Sequence, residues 1–266
     1  MFDRYGRIID YLRVSVTDRC NLRCRYCMPD EGVSLLAPEA ILTFEEIAEV
    51  ARTAVELGIV HIRLTGGEPL VRRHVTVLVG MLATIGGLRD LSMTTNGVLL
   101  AERAAALAAA GLRRVNVSLD AIDPQRYAAI TRGGDVRRVL AGIEAAQAAG
   151  LAPVKINCVV RESSQEPDAQ DVAQFAAACG LEARFIREMD LSTGRFAPIE
   201  GGAGGRCSRC DRLRLSSDGR IRPCLFSDLG FSVRQLGPRD ALLQAIEQKP
   251  ESGSVCTNHS FHSIGG

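Results

Sequence analysis

Six of the nine cysteines fall into two groups of three, and both groups have the spacing of metal ligands. The first reads Cys20-Asn21-Leu22-Arg23-Cys24-Arg25-Tyr26-Cys27, three thiols on one tight loop. Three thiolates can hold three irons of a four-iron cluster and leave the fourth iron open to a small molecule. A structural zinc ion wants four ligands, and none of the four histidines stands near this loop. The second group is Cys207, Cys210 and Cys224, with Arg212 and Arg214 just beyond Cys210. Zinc competes here, because a distant histidine could complete a tetrahedral site. The arginines favour a cluster: alternate residues of a strand share a face, so both guanidiniums can hold one anion beside the thiolates. The other cysteines stand alone. Cys158 alternates with Val and Ile, and Cys179 follows Val172, Phe175 and Ala176 at helical spacing, so both read as small core residues. Cys256, with His259 and His262 in a Ser- and Gly-rich tail, reads as a chance grouping.

Both groups need elements to position them. Apolar alternation predicts strands over 12–17, 60–65, 90–95, 113–119, 153–160 and 183–188. Helical patterns run over 71–85, 98–110, 136–149 and 168–179. Another helix opens on the capping box Thr43-Phe44-Glu45-Glu46 and closes at Gly58. Gly111, Gly150 and Gly180 stand where left-handed caps are wanted. Six β-then-α units in a row mean a parallel sheet. The first cysteine loop follows the first strand. Thr65-Gly66-Gly67-Glu68-Pro69 follows the second, and its paired glycines allow a close backbone approach to a ligand. Met93-Thr94-Thr95-Asn96-Gly97 and Val117-Ser118-Leu119-Asp120 take the same place on the next two strands.

The strand faces carry a separate signal. Leu12, Val14 and Val16 oppose Arg13, Ser15 and Thr17, and Val60, Ile62 and Leu64 oppose His61, Arg63 and Thr65. Arg114, Asn116 and Ser118, then Lys155 and Asn157, continue the polar face. A standard barrel interior is packed with Val, Ile and Leu. A polar, basic inner face therefore implies a partial barrel whose lumen takes water or an anionic ligand. A two-layer sheet with one solvated face is the competing arrangement. The expected fold is thus α/β: a partial (β/α)6 TIM-type barrel over 1–190, with a small cluster-binding extension over 191–266. That extension reads as short strands and one helix, at about 238–247.

Composition sets the limits. Formal charge is +1 with 24% charged residues, which gives no footing for nucleic acid or an acidic membrane. Arg, Glu or Gly breaks every long apolar stretch, so no transmembrane helix is expected. Met1-Phe2-Asp3-Arg4 lacks the layout of a secretory signal. A reducing, cytoplasmic setting follows, where clustered cysteines point to metal or redox chemistry rather than disulfides.

The C-x3-C-x2-C loop and Gly-Gly-Glu-Pro resemble the signature of the radical S-adenosylmethionine enzymes. Within them the chain is similar to the GTP 3′,8-cyclases of molybdenum cofactor biosynthesis, over 11–190, 206–226 and the final Ile264-Gly265-Gly266. The likeness rests on Leu12-Arg13-Val14-Ser15-Val16-Thr17-Asp18-Arg19-Cys20, the Gly-Gly-Glu-Pro loop, Val115-Asn116-Val117-Ser118-Leu119-Asp120 and Cys-x2-Cys-x-Arg-x-Arg-Leu. It implies two [4Fe–4S] clusters, on Cys20, Cys24 and Cys27 and on Cys207, Cys210 and Cys224. It implies that Tyr26, Gly67, Ser118 and Met189 contact S-adenosylmethionine. It assigns GTP to Arg13, Arg63, Thr94, Lys155, Arg212 and Arg214, and brings the Gly265-Gly266 tail into the active site. The implied reaction is radical: a 5′-deoxyadenosyl radical takes hydrogen from ribose C3′, and the carbon radical adds to guanine C8. The product is (8S)-3′,8-cyclo-7,8-dihydroguanosine 5′-triphosphate, and no side chain is cast as acid or base. Besides GTP, the implied partners are a reduced flavodoxin- or ferredoxin-type donor and a downstream cyclic pyranopterin monophosphate synthase, with a homodimer left open. Three departures stand out. The segment between Met189 and Cys207 and the region before the glycine tail are shorter than in the family, and His61 stands where a lysine is usual. Two alternatives follow: another radical enzyme with an auxiliary cluster, such as a peptide-modifying one, or a shortened paralogue that binds cluster and nucleotide without turnover.

Overall fold

The computed structural model describes residues 1–189, 197–202 and 204–256. Chain order begins β1 (Tyr11–Ser15), α1 (Phe44–Glu56), β2 (His61–Thr65), α2 (Val75–Ala83), β3 (Asp90–Thr95) and α3 (Ala104–Ala109). It continues β4 (Arg114–Ser118), α4 (Pro124–Thr131), α5 (Val136–Ala148), β5 (Lys155–Val160), α6 (Pro167–Ala178) and β6 (Glu182–Arg187). The C-terminal part adds β7 (Arg212–Leu215), β8 (Arg220–Arg222), β9 (Phe231–Ser232), α7 (Val233–Leu236) and α8 (Pro238–Glu247).

All nine strands form one sheet, in the order β6-β5-β4-β3-β2-β1-β7-β8-β9. The first six are parallel and lie in sequence order, as helical crossovers between adjacent strands require. β7 joins β1 in parallel, and β8 and β9 fold back antiparallel beyond it. β1 to β6 and β7 to β9 therefore share one sheet, which stays open between its outer strands, the expected partial barrel. Leu12, Val14, Ile62, Leu64, Val115, Val117, Ile156 and Cys158 form its outward face and are buried under the helices. The opposite, polar face is not solvated: Ser15, Thr65 and Asn116 are buried, and Arg13, Arg63, Arg114 and Lys155 are half-buried. That excludes the two-layer sheet with an exposed face.

Local chemistry accounts for the element ends. The Thr43 hydroxyl accepts from Glu46 N at 3.2 Å while the Glu46 carboxylate accepts from Thr43 N at 2.7 Å, closing the capping box of α1. Ile47, Val50, Ala51 and Ala54 then bury one stripe of that helix. α2 begins later than its periodicity predicts, because Glu68 caps a separate 3-10 turn over Pro69–Val71 and His74 takes a left-handed φ of 60°. α4 is a helix that the apolar pattern does not announce. Asp123 caps it, accepting from Arg126 N at 2.8 Å, and Pro124 opens it, but it buries only Tyr127 and Thr131. Cys179 corrects an expectation: it caps α6 at the surface and is exposed, because the buried stripe of that helix passes through Ala169, Val172 and Ala176.

Candidate active site

The first cysteine loop is clamped from both sides. Cys27 N and Met28 N both donate to Cys24 O at 3.0 Å, which coils the loop on itself. The end of α4 holds it from outside: Arg23 N donates to Thr131 O, Arg25 N to Ile130 O, and Arg132 reaches Met28 O at 2.9 Å. Burial pushes the Cys24 thiol up to about 12 and the Cys27 thiol to about 11, and raises Cys20 as well. Such thiols ionise only beside a strong positive charge, which ligated iron supplies, so the donor chemistry fits a metal cluster. Among the described residues no three His, Cys, Asp or Glu side chains close around a single metal ion. Tyr26 turns inward, and its hydroxyl donates to Asp120 Oδ2 at 2.7 Å. Asp120 Oδ1 in turn accepts from Val159 N at 2.8 Å, and burial lifts this carboxyl to about 6.

The Gly-Gly pair is needed for a reason the sequence does not disclose. Gly67 N donates to Thr17 O and Glu68 N to Arg19 O, both at 2.8 Å, so the second strand's loop lies directly on the backbone leading to Cys20. A methyl group at Gly67 would stand 2.4 Å from Arg19 O, and one at Gly66 2.6 Å from Thr17 O. Glu68 is buried beneath this contact. Its carboxylate accepts from Leu70 N, Thr95 Oγ1 and Asn96 N at 3.0, 2.7 and 2.6 Å. The Asn96 amide then reaches Asn21 Oδ1 at 2.8 Å and the Cys20 sulfur at 3.8 Å. Burial dominates these donors and pushes the Glu68 carboxyl up to about 7. The roles of Glu68, Asn96 and Asp120 escape sequence reasoning, which sees them only as motif members.

The lumen face gathers the basic residues by register. Arg214, Arg13 and Arg63 are direct neighbours across β7, β1 and β2, with Arg212 beside Tyr11. Burial and the adjacent guanidiniums, Arg214 first, hold Arg13 well below the usual arginine range, and burial brings Arg214 down to about 10. Cations crowded in this way favour an anion among them. Two other basic residues are already compensated: Asp90 takes Arg114 in two bonds of 2.8 and 2.6 Å, and Glu182 pairs with Lys155. The basic lumen therefore includes at least two cations, Arg114 and Lys155, whose charge a carboxylate already meets. Thr94 Oγ1, Asn116 Oδ1, Arg184 Nε and Tyr11 Oη are buried polar atoms without a partner among the described residues, as a lumen shaped for a polar ligand requires. Ser118 lies half-buried on β4 beside Asn157.

In the second cysteine set, Cys207 and Cys210 precede β7 and Cys224 follows β8, which runs back antiparallel beside β7. Cys207 is exposed, and Cys210 and Cys224 are half-buried. Met189 packs with Cys224 against the small cluster of Leu225 and Phe226, so the residue expected at S-adenosylmethionine touches the second set's surroundings. Burial raises the Cys210 thiol, but Lys249 and Arg212 outweigh it and leave it below the ordinary value. Cys256 is buried and donates to Asp228 at 3.0 Å. Gly265, Gly266, His259 and His262 lie outside the described residues.

Known proteins with these features were found at three levels. The family model of the radical SAM superfamily matches residues 14–176. A GTP 3′,8-cyclase of Moorella thermoacetica is 44% identical over 307 residues, covering 97% of this chain and 95% of its own. One of Thermodesulfovibrio yellowstonii is 38% identical, with both chains fully covered. Since the first alignment runs over 307 residues and this chain has 266, that relative carries segments this chain lacks. Among solved structures, Streptococcus suis SuiB bound to S-adenosylmethionine superposes with a TM-score of 0.67 at 15% identity, over 93% of this chain and 66% of its own. The anSMEcpe structure with bound AdoMet and Kp18Cys peptide gives 0.63 at 15% identity, over 91% and 81%. Likeness at that identity speaks for the fold alone.

Proposed function

The chain belongs to the GTP 3′,8-cyclase family of the radical SAM superfamily, and from that membership we propose that it converts GTP to 3′,8-cyclo-7,8-dihydroguanosine triphosphate, the first step of molybdenum cofactor biosynthesis. The observation that carries the substrate is the register Arg214-Arg13-Arg63, a row of cations on the lumen face with Cys207 and Cys210 immediately ahead of β7. A triphosphate is the anion that such a row suits. Cys20, Cys24 and Cys27 would hold one four-iron cluster and Cys207, Cys210 and Cys224 the other. When bound, the first supplies the electron for cleaving S-adenosylmethionine, and the second an anchoring point for the substrate's base.

The protein's own part is orientation and exclusion. Tyr26, Gly67, Ser118 and Met189 take S-adenosylmethionine between the strand ends, and Arg13, Arg63, Thr94, Arg212 and Arg214 take the nucleotide. Lys155 joins them by exchanging its pairing with Glu182 for the nucleotide. The Glu68 bonds to Thr95 and Asn96 lock the strand ends that flank the radical's path, so the reacting groups meet in one geometry. The same reading brings a reduced flavodoxin- or ferredoxin-type donor, a pyranopterin-forming enzyme that consumes the product and a cytoplasmic setting. No helix among the described residues is long and apolar enough to cross a membrane.

Anaerobic reconstitution of Cys20→Ala and Cys224→Ala tests the metal assignment. Each variant should retain about half the iron of the parent. Full iron in either variant, or stoichiometric zinc in the native protein, would refute it.

A further inference from the structure

Two cations from outside the sheet grip the second cysteine set. Arg7, paired with Asp3 at 2.6 Å, donates to Cys207 O at 2.9 Å and to the carbonyls of Pro250 and Glu251. Lys249, just past the end of α8, is only 1% exposed. Its ammonium donates to Arg212 O and to Pro223 O, each at 2.6 Å. An ammonium has three N–H donors and no acceptor, and two of them are spent on the segments that bear the thiols. Arg212 stands two residues after Cys210, and Pro223 immediately precedes Cys224.

A neutral donor could tie two carbonyls together, whereas burying a charge is costly unless an opposite charge meets it. Among the described residues no carboxylate pairs with Lys249, and its charged surroundings are Cys210, Cys224 and the like-charged Arg7. The negative charge available to it is thiolate. We infer that Lys249 is a positioning residue of the second cluster, fixing the Cys210 and Cys224 segments against each other and supplying a buried positive charge that tunes the cluster's reduction potential. The inference rests on the two-cluster reading above. Charge and hydrogen bonds to the sulfurs are the levers by which a protein tunes such a potential.

The test uses the full chain with Cys20, Cys24 and Cys27 all changed to Ala, so that only the second set takes up iron. Lys249→Arg keeps the charge, Lys249→Gln keeps two donors without it, and Lys249→Met removes both. After anaerobic reconstitution, redox titration followed by electron paramagnetic resonance reads the cluster alone. At a fixed ambient potential Lys249→Arg should stay within about twofold of the parent's reduced-to-oxidised ratio. Lys249→Gln should fall about tenfold, about 59 mV for one electron. Lys249→Met should lose iron as well, since two buried carbonyls are left unsatisfied. If it fails to fold, the Arg and Gln variants still decide. Equal potentials in parent, Lys249→Arg and Lys249→Gln at full iron would overturn the inference. A parent that takes up no iron would overturn the two-cluster reading itself, before any change at Lys249.

Discussion

At the scale of single residues, Glu68 makes the sharpest claim on stability. Burial lifts its carboxyl from 4.5 to about 7, so the native protein holds a proton that the unfolded chain has lost between those values. The stabilisation is therefore full below about pH 4.5 and disappears as pH rises through about 7, on the order of 3 kcal/mol. Thermal melts of the metal-free protein should show that decline, and Glu68→Gln should flatten it. An equal slope in both proteins would clear Glu68 of the role. The basic residues divide in the same way by their partners. Arg13→Ala and Arg214→Ala should each weaken GTP binding by about 2–5 kcal/mol in calorimetry. Lys155→Ala should cost less, because Glu182 already compensates Lys155. Equal losses in all three would mean that the ligand displaces Glu182 at no cost. The cysteines and basic positions were legible in the sequence because their chemistry is carried by residue type and spacing. Lys249 and Arg7 were not: each acts on residues some 26 to 244 positions away, through contacts only the fold creates.

Among elements, the strand ends were legible and the reason for their glycines was not. Alternation in β1, β2, β4 and β5 revealed the buried face and the lumen face because parallel neighbours in register repeat the same split. The Gly-Gly pair suggested space for a ligand, but a side chain there would strike the backbone of Thr17 and Arg19. Gly67→Ala should therefore destabilise the protein by about 1–3 kcal/mol and reduce iron at the first set, since the Cys20 approach must shift. Gly80, inside α2 with nothing within 4 Å of an added Cβ, is the control, and Gly80→Ala should stabilise by about 0.5–1 kcal/mol. Denaturant melts with iron determination separate the two; full iron in Gly67→Ala would show that the loop tolerates displacement. α4 went unseen because its apolar stripe is only two residues, although Asp123-Pro124 marks a helix start.

For the molecule as a whole, the open point is how the two cysteine sets work as one site. β7 lies in parallel on β1, so the Arg pair and the second set are fixed to the strand that leads into the first loop. The aligned relative from Moorella thermoacetica carries segments this chain lacks, and the resemblance to the family implies that much of the difference falls between Met189 and Cys207. Fewer packed elements there should leave the substrate less tightly oriented, which lowers the yield of coupled product more than the cleavage of S-adenosylmethionine. The fold class was readable at this scale because β-then-α repetition constrains topology, whereas the pairing of β7 with β1 joins positions about 200 apart and leaves no local mark. One reaction tests the central claim most directly. Reconstituted protein, S-adenosylmethionine, a low-potential reductant and GTP deuterated at C3′ are combined anaerobically, and 5′-deoxyadenosine and cyclised nucleotide are measured together by mass spectrometry. Deuterium should appear in the 5′-deoxyadenosine alongside a 3′,8-cyclised product, with less cyclised nucleotide than deoxyadenosine and none of either from Cys20→Ala. Deoxyadenosine free of deuterium, with no cyclised nucleotide under any reductant, would contradict it.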